Sequence, residues 1–246
     1  MDLRKNYQAF ERLKKTKPKA IIFDWDNTLA DTWPLIHAAM NEARVAFDKN
    51  PWSLKEVKDK VHKSMRESFP VMFGDDWQAA GKIYLDSYAK NNLTSLKLLP
   101  GSLDLLKELK KQNIRVFLVS NKIGATLRKE VAKLELNEYF FSVIGSMDAN
   151  QDKPDVDPVK LALQGSDIDF ERDKGDIWFI GDTVSDIDCG LNCGFIPVAF
   201  DSDQGCLSAS ISQSSVFNDD LAVYHDQASL KFSSLCHLEA KREIPC

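Results

Sequence analysis

The stretch 20–29, Ala-Ile-Ile-Phe-Asp-Trp-Asp-Asn-Thr-Leu, constrains this chain more than any other. Ala20, Ile21, Ile22 and Phe23 form an apolar run without alternation. That is the pattern of a strand buried on both faces of a parallel sheet. Asp24 then falls at the strand's C-terminal end, where open α/β sheets place their ligands. Side chains at i and i+2 of an extended chain point the same way, so Asp24 and Asp26 are expected to face one small site. Two carboxylates that close repel each other and need a cation or a shared proton. Taken alone, the same residues also read as a strand ending in a polar turn built on Asp26 and Asn27.

The pattern downstream alternates. Leu35, Ile36, Ala39, Met40, Ala43 and Phe47 have helical spacing, and Pro51 and Trp52 end it. Ser53 with Glu56 has the form of a capping box and predicts a second helix over 54–66. Pro70 and Gly74 predict a break, and 75–92 a third helix. Residues 31–97 therefore read as a helical insert without strands. After Pro100-Gly101 come a helix over 102–112, a strand over 114–120, a helix over 124–135 and a strand over 140–145. A short helix over 157–164, a strand over 176–181, a helix over 184–193 and a strand over 196–200 follow. Pro197 predicts that the last of these lies at the sheet edge. Residues 202–215, rich in Ser, read as a loop, 221–225 as a short strand and 227–236 as a closing helix. Alternating strands and helices predict an α/β fold with a doubly wound, Rossmann-like parallel sheet.

Three more polar clusters stand at strand ends. Ser120-Asn121-Lys122 ends one strand, Lys153-Pro154 follows the next, and Gly181-Asp182-Thr183-Val184-Ser185-Asp186 ends a third. A parallel sheet brings all its C-terminal strand ends to one edge, so these clusters are expected to meet Asp24 in one crevice. Each alone has an ordinary reading: a turn at Ser120, a solvated Lys153, a helix start capped by Asp182 or Thr183. Their order at successive strand ends argues for a shared site.

In that order they resemble the haloacid dehalogenase-like hydrolase superfamily. Its DxDxT motif is matched by Asp24-Trp25-Asp26-Asn27-Thr28, and its strand ending in Ser or Thr by Leu118-Val119-Ser120. Its lysine is matched by Lys153, and its GDxxxD by Gly181 to Asp186. Asn121 and Pro100-Gly101 are similar to the phosphoglycolate phosphatase and β-phosphoglucomutase branch, which has an α-helical cap inserted after the first motif. The resemblance implies a core of residues 1–30 and 98–246, with 1–19 as an extension, and a cap of 31–97. It implies Mg²⁺ held by Asp24, Asp182 and the backbone carbonyl of Asp26. Asp24 would be the nucleophile that forms an aspartyl-phosphate, and Asp26 the proton carrier. Ser120, helped by the backbone or side chain of Asn121, would bind the phosphoryl group, and Lys153 would neutralise its charge. Asp186 would act through a water or by orienting Lys153, and Thr28 would fix the turn. Lys122 and Lys160 are alternatives to Lys153, and Lys122 comes early for that motif. Asp31 and Trp33 open the insert, either touching substrate or, for Asp31, capping its first helix.

The implied function is hydrolysis of a small phosphorylated metabolite. A phosphotransferase of the phosphoglucomutase kind has the same motifs. A dehalogenase needs no acid at the position of Asp26, and a catalytically silent binding protein would not need the full set. A formal net charge of −5 argues against a general nucleic-acid binder. No apolar run reaches membrane-span length, and 1–19 lacks the apolar segment of a secretory signal. Tyr7, Phe10 and Leu13 there would share the face of a short helix. Cys189, Cys193, Cys206, Cys236 and Cys246 form no CxxC pair and read as small reduced residues, in keeping with a cytoplasmic protein.

Overall fold

The computed structural model describes residues 18–200 and the strand Ala222–Tyr224. The expected N-terminal helix, the loop at 202–215, the closing helix at 227–236, and Cys206, Cys236 and Cys246 lie outside the described residues. Strand β1 is Ala20–Phe23, and all four of its residues are buried. Alternate residues serve opposite faces of the sheet. Ile21 and Phe23 join one core with Val116, Leu118, Trp178 and Ile180. Ala20 and Ile22 join a second core with Phe117, Val119, Ile177 and Phe179. Two covered faces leave no solvent side, which is why the apolar run shows no alternation.

Among the described residues the sheet has six strands. They are β1, β4 (Arg115–Ile123), β5 (Val143–Ser146), β6 (Ile177–Gly181), β7 (Ile196–Phe200) and β8 (Ala222–Tyr224), in the spatial order β5-β4-β1-β6-β7-β8. Every pairing among them is parallel. Strand β7 is not the edge strand that Pro197 predicts. Its pairing with β8 begins at Val198↔Ala222, past the proline, so the N–H that Pro197 lacks is not needed there. Strand β4 runs three residues beyond its predicted end at Ser120. Its pairing with β1 stops at Phe23↔Leu118, and its register with β5 shifts between Val119 and Ile123. Ser120 therefore lies where the ladder is irregular rather than at its end.

Helices α1 (Trp33–Ala46), α2 (Leu54–Lys60), α3 (Met65–Phe73) and α4 (Trp77–Ser95) lie between β1 and β4 in the chain. A two-residue antiparallel ribbon closes this segment, β2 (Ala30–Asp31) against β3 (Lys97–Leu98). The segment expected to lack strands therefore begins and ends on one. The single helix expected over 54–66 is split: α2 stops at Lys60, Val61 leaves helical geometry, and extended Ser64 starts α3. Pro70 sits inside α3, and the break falls at Gly74, whose φ of +59° suits glycine.

Helices α5 (Ser102–Lys111) and α6 (Gly124–Lys133) cover the first face through Leu105, Leu106, Leu109, Leu127 and Val131. Helices α7 (Asp157–Leu163) and α8 (Val184–Asn192) cover the second through Val159, Ala162, Leu163 and Cys189. Cys189 and Cys193 are buried and free, packed as small apolar residues. Among the described residues no helix is long and apolar enough to cross a membrane.

Candidate active site

Asp24 continues straight from β1, and its N–H bonds to the carbonyl of Ile180 on β6. The chain turns at Asn27, whose φ is +59°. The Asn27 side-chain oxygen accepts from the N–H groups of Thr32 and Trp33 at 3.2 and 2.9 Å. Asn27 thus satisfies the first donors of α1, the task that sequence reasoning offered to Asp31. Asp31 instead pairs with Lys97 across the β2–β3 ribbon at 3.1 Å. Trp33 lines the pocket above the site, with Met40, Phe69, Tyr84 and Tyr88 as further walls. Lys160, the other alternative for the lysine, does not line it.

The strand-end clusters converge. The Lys153 ammonium, 2% exposed, donates to Asp24 Oδ1 at 2.6 Å and to Asp186 Oδ1 at 2.5 Å. One carboxylate oxygen from each of Asp24, Asp182 and Asp186 lies within 4.8 Å of the other two. Thr28 Oγ1 donates to Asp182 Oδ1 at 3.2 Å, tying the first motif to the last. Asp186 Oδ2 accepts from the N–H and hydroxyl of Thr183 at 3.0 and 2.7 Å, so Asp186 both starts α8 and holds Lys153.

Three crowded carboxylates against one ammonium leave surplus negative charge. Burial pushes the Asp24 carboxyl up to about 7 against the pull of Lys153, and Asp186 and Asp26 add to the rise. Burial also pushes Asp182 well above the usual carboxylate range, reinforced by Asp24 and Asp186. Burial opposes the charge on Lys153, but Asp186 and Asp24 outweigh it and raise the ammonium above its ordinary value. Hard oxygen donors with unbalanced charge are the ligand set of a divalent cation.

Gly181 is required by this packing. A Cβ there would lie 2.3 Å from Asp186 Cγ and 2.4 Å from its Cβ. Gly181→Ala is expected to cost about 1–3 kcal/mol and to push Asp186 off Lys153. Urea midpoints and kcat/KM both test this, and an alanine variant with unchanged values of both would contradict the packing argument.

Asn121 presents its side chain to the backbone of Lys153. Its Nδ2 donates to the Lys153 carbonyl at 3.1 Å and its Oδ1 accepts from the Lys153 N–H at 3.0 Å. Of the two alternatives for Asn121, the side chain is therefore committed to placing the lysine. Ser120 Oγ lines the pocket and accepts from the Lys122 N–H at 3.3 Å. Arg66 of α3 reaches Asp152, next to Lys153, at 2.5 Å. Ser146 donates to the same Asp152 oxygen.

Lys122 and Glu130 escaped sequence reasoning as partners. The Lys122 ammonium donates to Asp26 Oδ1 at 2.6 Å, to the Tyr88 hydroxyl at 2.7 Å and to Glu130 Oε2 at 2.9 Å. Glu130, 1% exposed, also accepts from Trp25 Nε1 and Asn92 Nδ2, both at 2.6 Å. One signal was available. Leu127, Glu130 and Val131 have i, i+3, i+4 spacing, which puts a carboxylate on the apolar stripe of α6.

A parallel sheet covered by helices on both faces has counterparts among solved hydrolases. Residues 21–200 match the model of the haloacid dehalogenase-like hydrolases, and the chain belongs to that family. It is 24% identical over 180 residues to phosphoglycolate phosphatase 1 of Pseudomonas aeruginosa, covering 69% of this chain and 64% of that one. The match thus spans just under two thirds of that relative. N-acetylmuramic acid 6-phosphate phosphatase of the same organism is 27% identical over 187 residues, covering 74% of this chain and 81% of that one. A haloacid dehalogenase-like hydrolase from Streptococcus pneumoniae has the same fold, with a TM-score of 0.71 at 23% identity over 87% of this chain and 97% of that one.

Proposed function

We propose that this chain is a Mg²⁺-dependent phosphatase that hydrolyses a small phosphomonoester through an aspartyl-phosphate on Asp24. The observation that carries the reading is the buried Lys153, held between Asp24 and Asp186 with Asp182 beside them. Asp24 attacks phosphorus in line, and the bond to the leaving oxygen breaks as Asp26 delivers a proton to it. Asp26 then takes a proton from the water that attacks the phosphoenzyme, which frees inorganic phosphate and regenerates Asp24. Ser120 Oγ and the Asn121 N–H receive the phosphoryl oxygens, and Lys153 balances their charge. Asp24, Asp182 and the Asp26 carbonyl would hold Mg²⁺, which relieves repulsion between nucleophile and phosphate when bound. Asp186 positions Lys153, and Thr28 steadies Asp182.

Residues 31–97 serve as the cap over a core of 1–30 and 98–246. Support comes from the pocket, whose lining joins Trp33, Met40 and Tyr84 to Asp24 and Lys153. His62 and Lys63 line it from the same segment and suit an acidic, phosphoglycolate-like metabolite, met in the cytoplasm.

The test is phosphate release from a panel of phosphorylated metabolites with Mg²⁺ and with a chelator. Release that chelation returns to background is expected. No hydrolysis of any compound with metal bound would sink the reading. Isomerisation of glucose 1-phosphate without phosphate release would move it to a phosphotransferase.

A further inference from the structure

We propose that Lys122, clamped by Glu130 and Tyr88, is a positioning residue that dictates which oxygen of Asp26 transfers the proton. The inference rests on the phosphatase reading above, in which Asp26 is the proton carrier. An ammonium has three donors and no acceptor. Here all three are assigned: Asp26 Oδ1, the Tyr88 hydroxyl and Glu130 Oε2, at 2.6–2.9 Å. The Lys122 side chain is 8% exposed and cannot rotate without losing buried partners. Its hydrogen bond to Asp26 therefore has a fixed direction.

The consequence is chemical. Lys122 donates to Oδ1 and can accept nothing in return, and the carbonyl oxygen of a carboxyl is a better acceptor than its hydroxyl, so a proton on Asp26 is directed to Oδ2. Proton transfer to a leaving oxygen depends on such geometry before it depends on acidity. The clamp also has a support of its own. Glu130 comes from α6, Tyr88 and Asn92 from α4, and Trp25 from the motif itself; Trp25 Nε1 and Asn92 Nδ2 donate to Glu130, which in turn accepts from Lys122. Burial, with Asp26 and Glu130 nearby, pushes the Tyr88 hydroxyl well above its ordinary range, so it stays neutral and accepts from Lys122. The proton carrier is thus tied to α4 of the 31–97 segment by one lysine.

A positioning role for the acid has a signature that a structural role lacks. An alkoxide leaves poorly and needs a proton, whereas p-nitrophenolate leaves unaided. The parameter kcat/KM reports only steps up to formation of the phosphoenzyme, before Asp26 acts as a base. Lys122→Met is therefore expected to lower kcat/KM for an alkyl phosphate by about 10²-fold and to leave that for p-nitrophenyl phosphate nearly unchanged. Because Lys122→Met leaves Glu130 buried without a counter-charge, the double variant Lys122→Met/Glu130→Gln is measured beside it. The double variant removes both charges and keeps the shape, and the same leaving-group split is expected from it. Equal losses on both substrates in a folded variant, or no loss on either, overturn the inference and leave the phosphatase reading intact. Absence of any turnover by the unaltered protein with Mg²⁺ would overturn both.

Discussion

Asp24→Asn is expected to lower kcat by at least about 10⁴-fold, the scale on which covalent nucleophiles matter. The amide cannot form the acyl phosphate, yet it keeps the size and shape of the carboxylate at the end of β1. The backbone bond from residue 24 to Ile180 does not involve the side chain, so the fold should persist. A second readout separates the nucleophile from the scaffold. In the metal-free protein Asp24 titrates near 7 instead of 3.8, because burial outweighs the pull of Lys153. Its unfolded form ionises first, so the native state binds more protons between those two values. Stability associated with Asp24 is therefore fully present below pH 3.8, is lost as pH rises, and is lost in full above about 7. The loss is on the order of a few kcal/mol. Asparagine has no such titration, so the variant should show a flatter dependence of stability on pH across this window. Urea melts at several pH values with chelator present measure it. An unchanged slope, or turnover within tenfold of the unaltered protein, would contradict the assignment.

The sheet and the convergence of its strand-end clusters were legible in the chain for one physical reason. A parallel sheet forces every C-terminal strand end to one edge, so local patterns at Asp24, Ser120, Lys153 and Asp182 translate directly into a shared crevice. Boundaries were less legible where pairing, not propensity, decides them. Strand β4 continues past Ser120 because β5 still pairs with it after β1 has stopped. Pro197 is tolerated inside the sheet because β8 begins beyond it. Partnerships across elements were hidden. Lys122, Glu130, Tyr88 and Trp25 come from four places in the chain, and nothing local pairs them. Asn27 as the group that satisfies the start of α1 was hidden too, since a turn residue with φ of +59° reads the same whether or not its side chain reaches a helix.

Lys153→Met tests what holds the crowded carboxylates together. The wild-type ammonium is held above its ordinary value of 10.5, so its contribution to stability is fully present throughout the neutral range. Removing it leaves Asp24, Asp182 and Asp186 within 4.8 Å of one another without an internal counter-charge. Breaking a buried pair in this way typically costs about 3–5 kcal/mol, since the remaining charge keeps its desolvation penalty. Metal-free variant at pH 8 is therefore expected to melt well below the unaltered protein. Two conditions should restore much of the loss. Lowering the pH to 5 lets the carboxylates take up protons, because Asp24 already rises to about 7 with the lysine present and has less opposing the rise without it. Saturating Mg²⁺ should do the same by binding the native state alone. Activity should stay low even with Mg²⁺, by roughly 10²–10³-fold, because the metal does not replace a donor aimed at the phosphoryl group. A variant as stable as the unaltered protein at pH 8 without metal would mean that the three carboxylates relieve their repulsion some other way. The electrostatic case for a cation at this site would then fall with it.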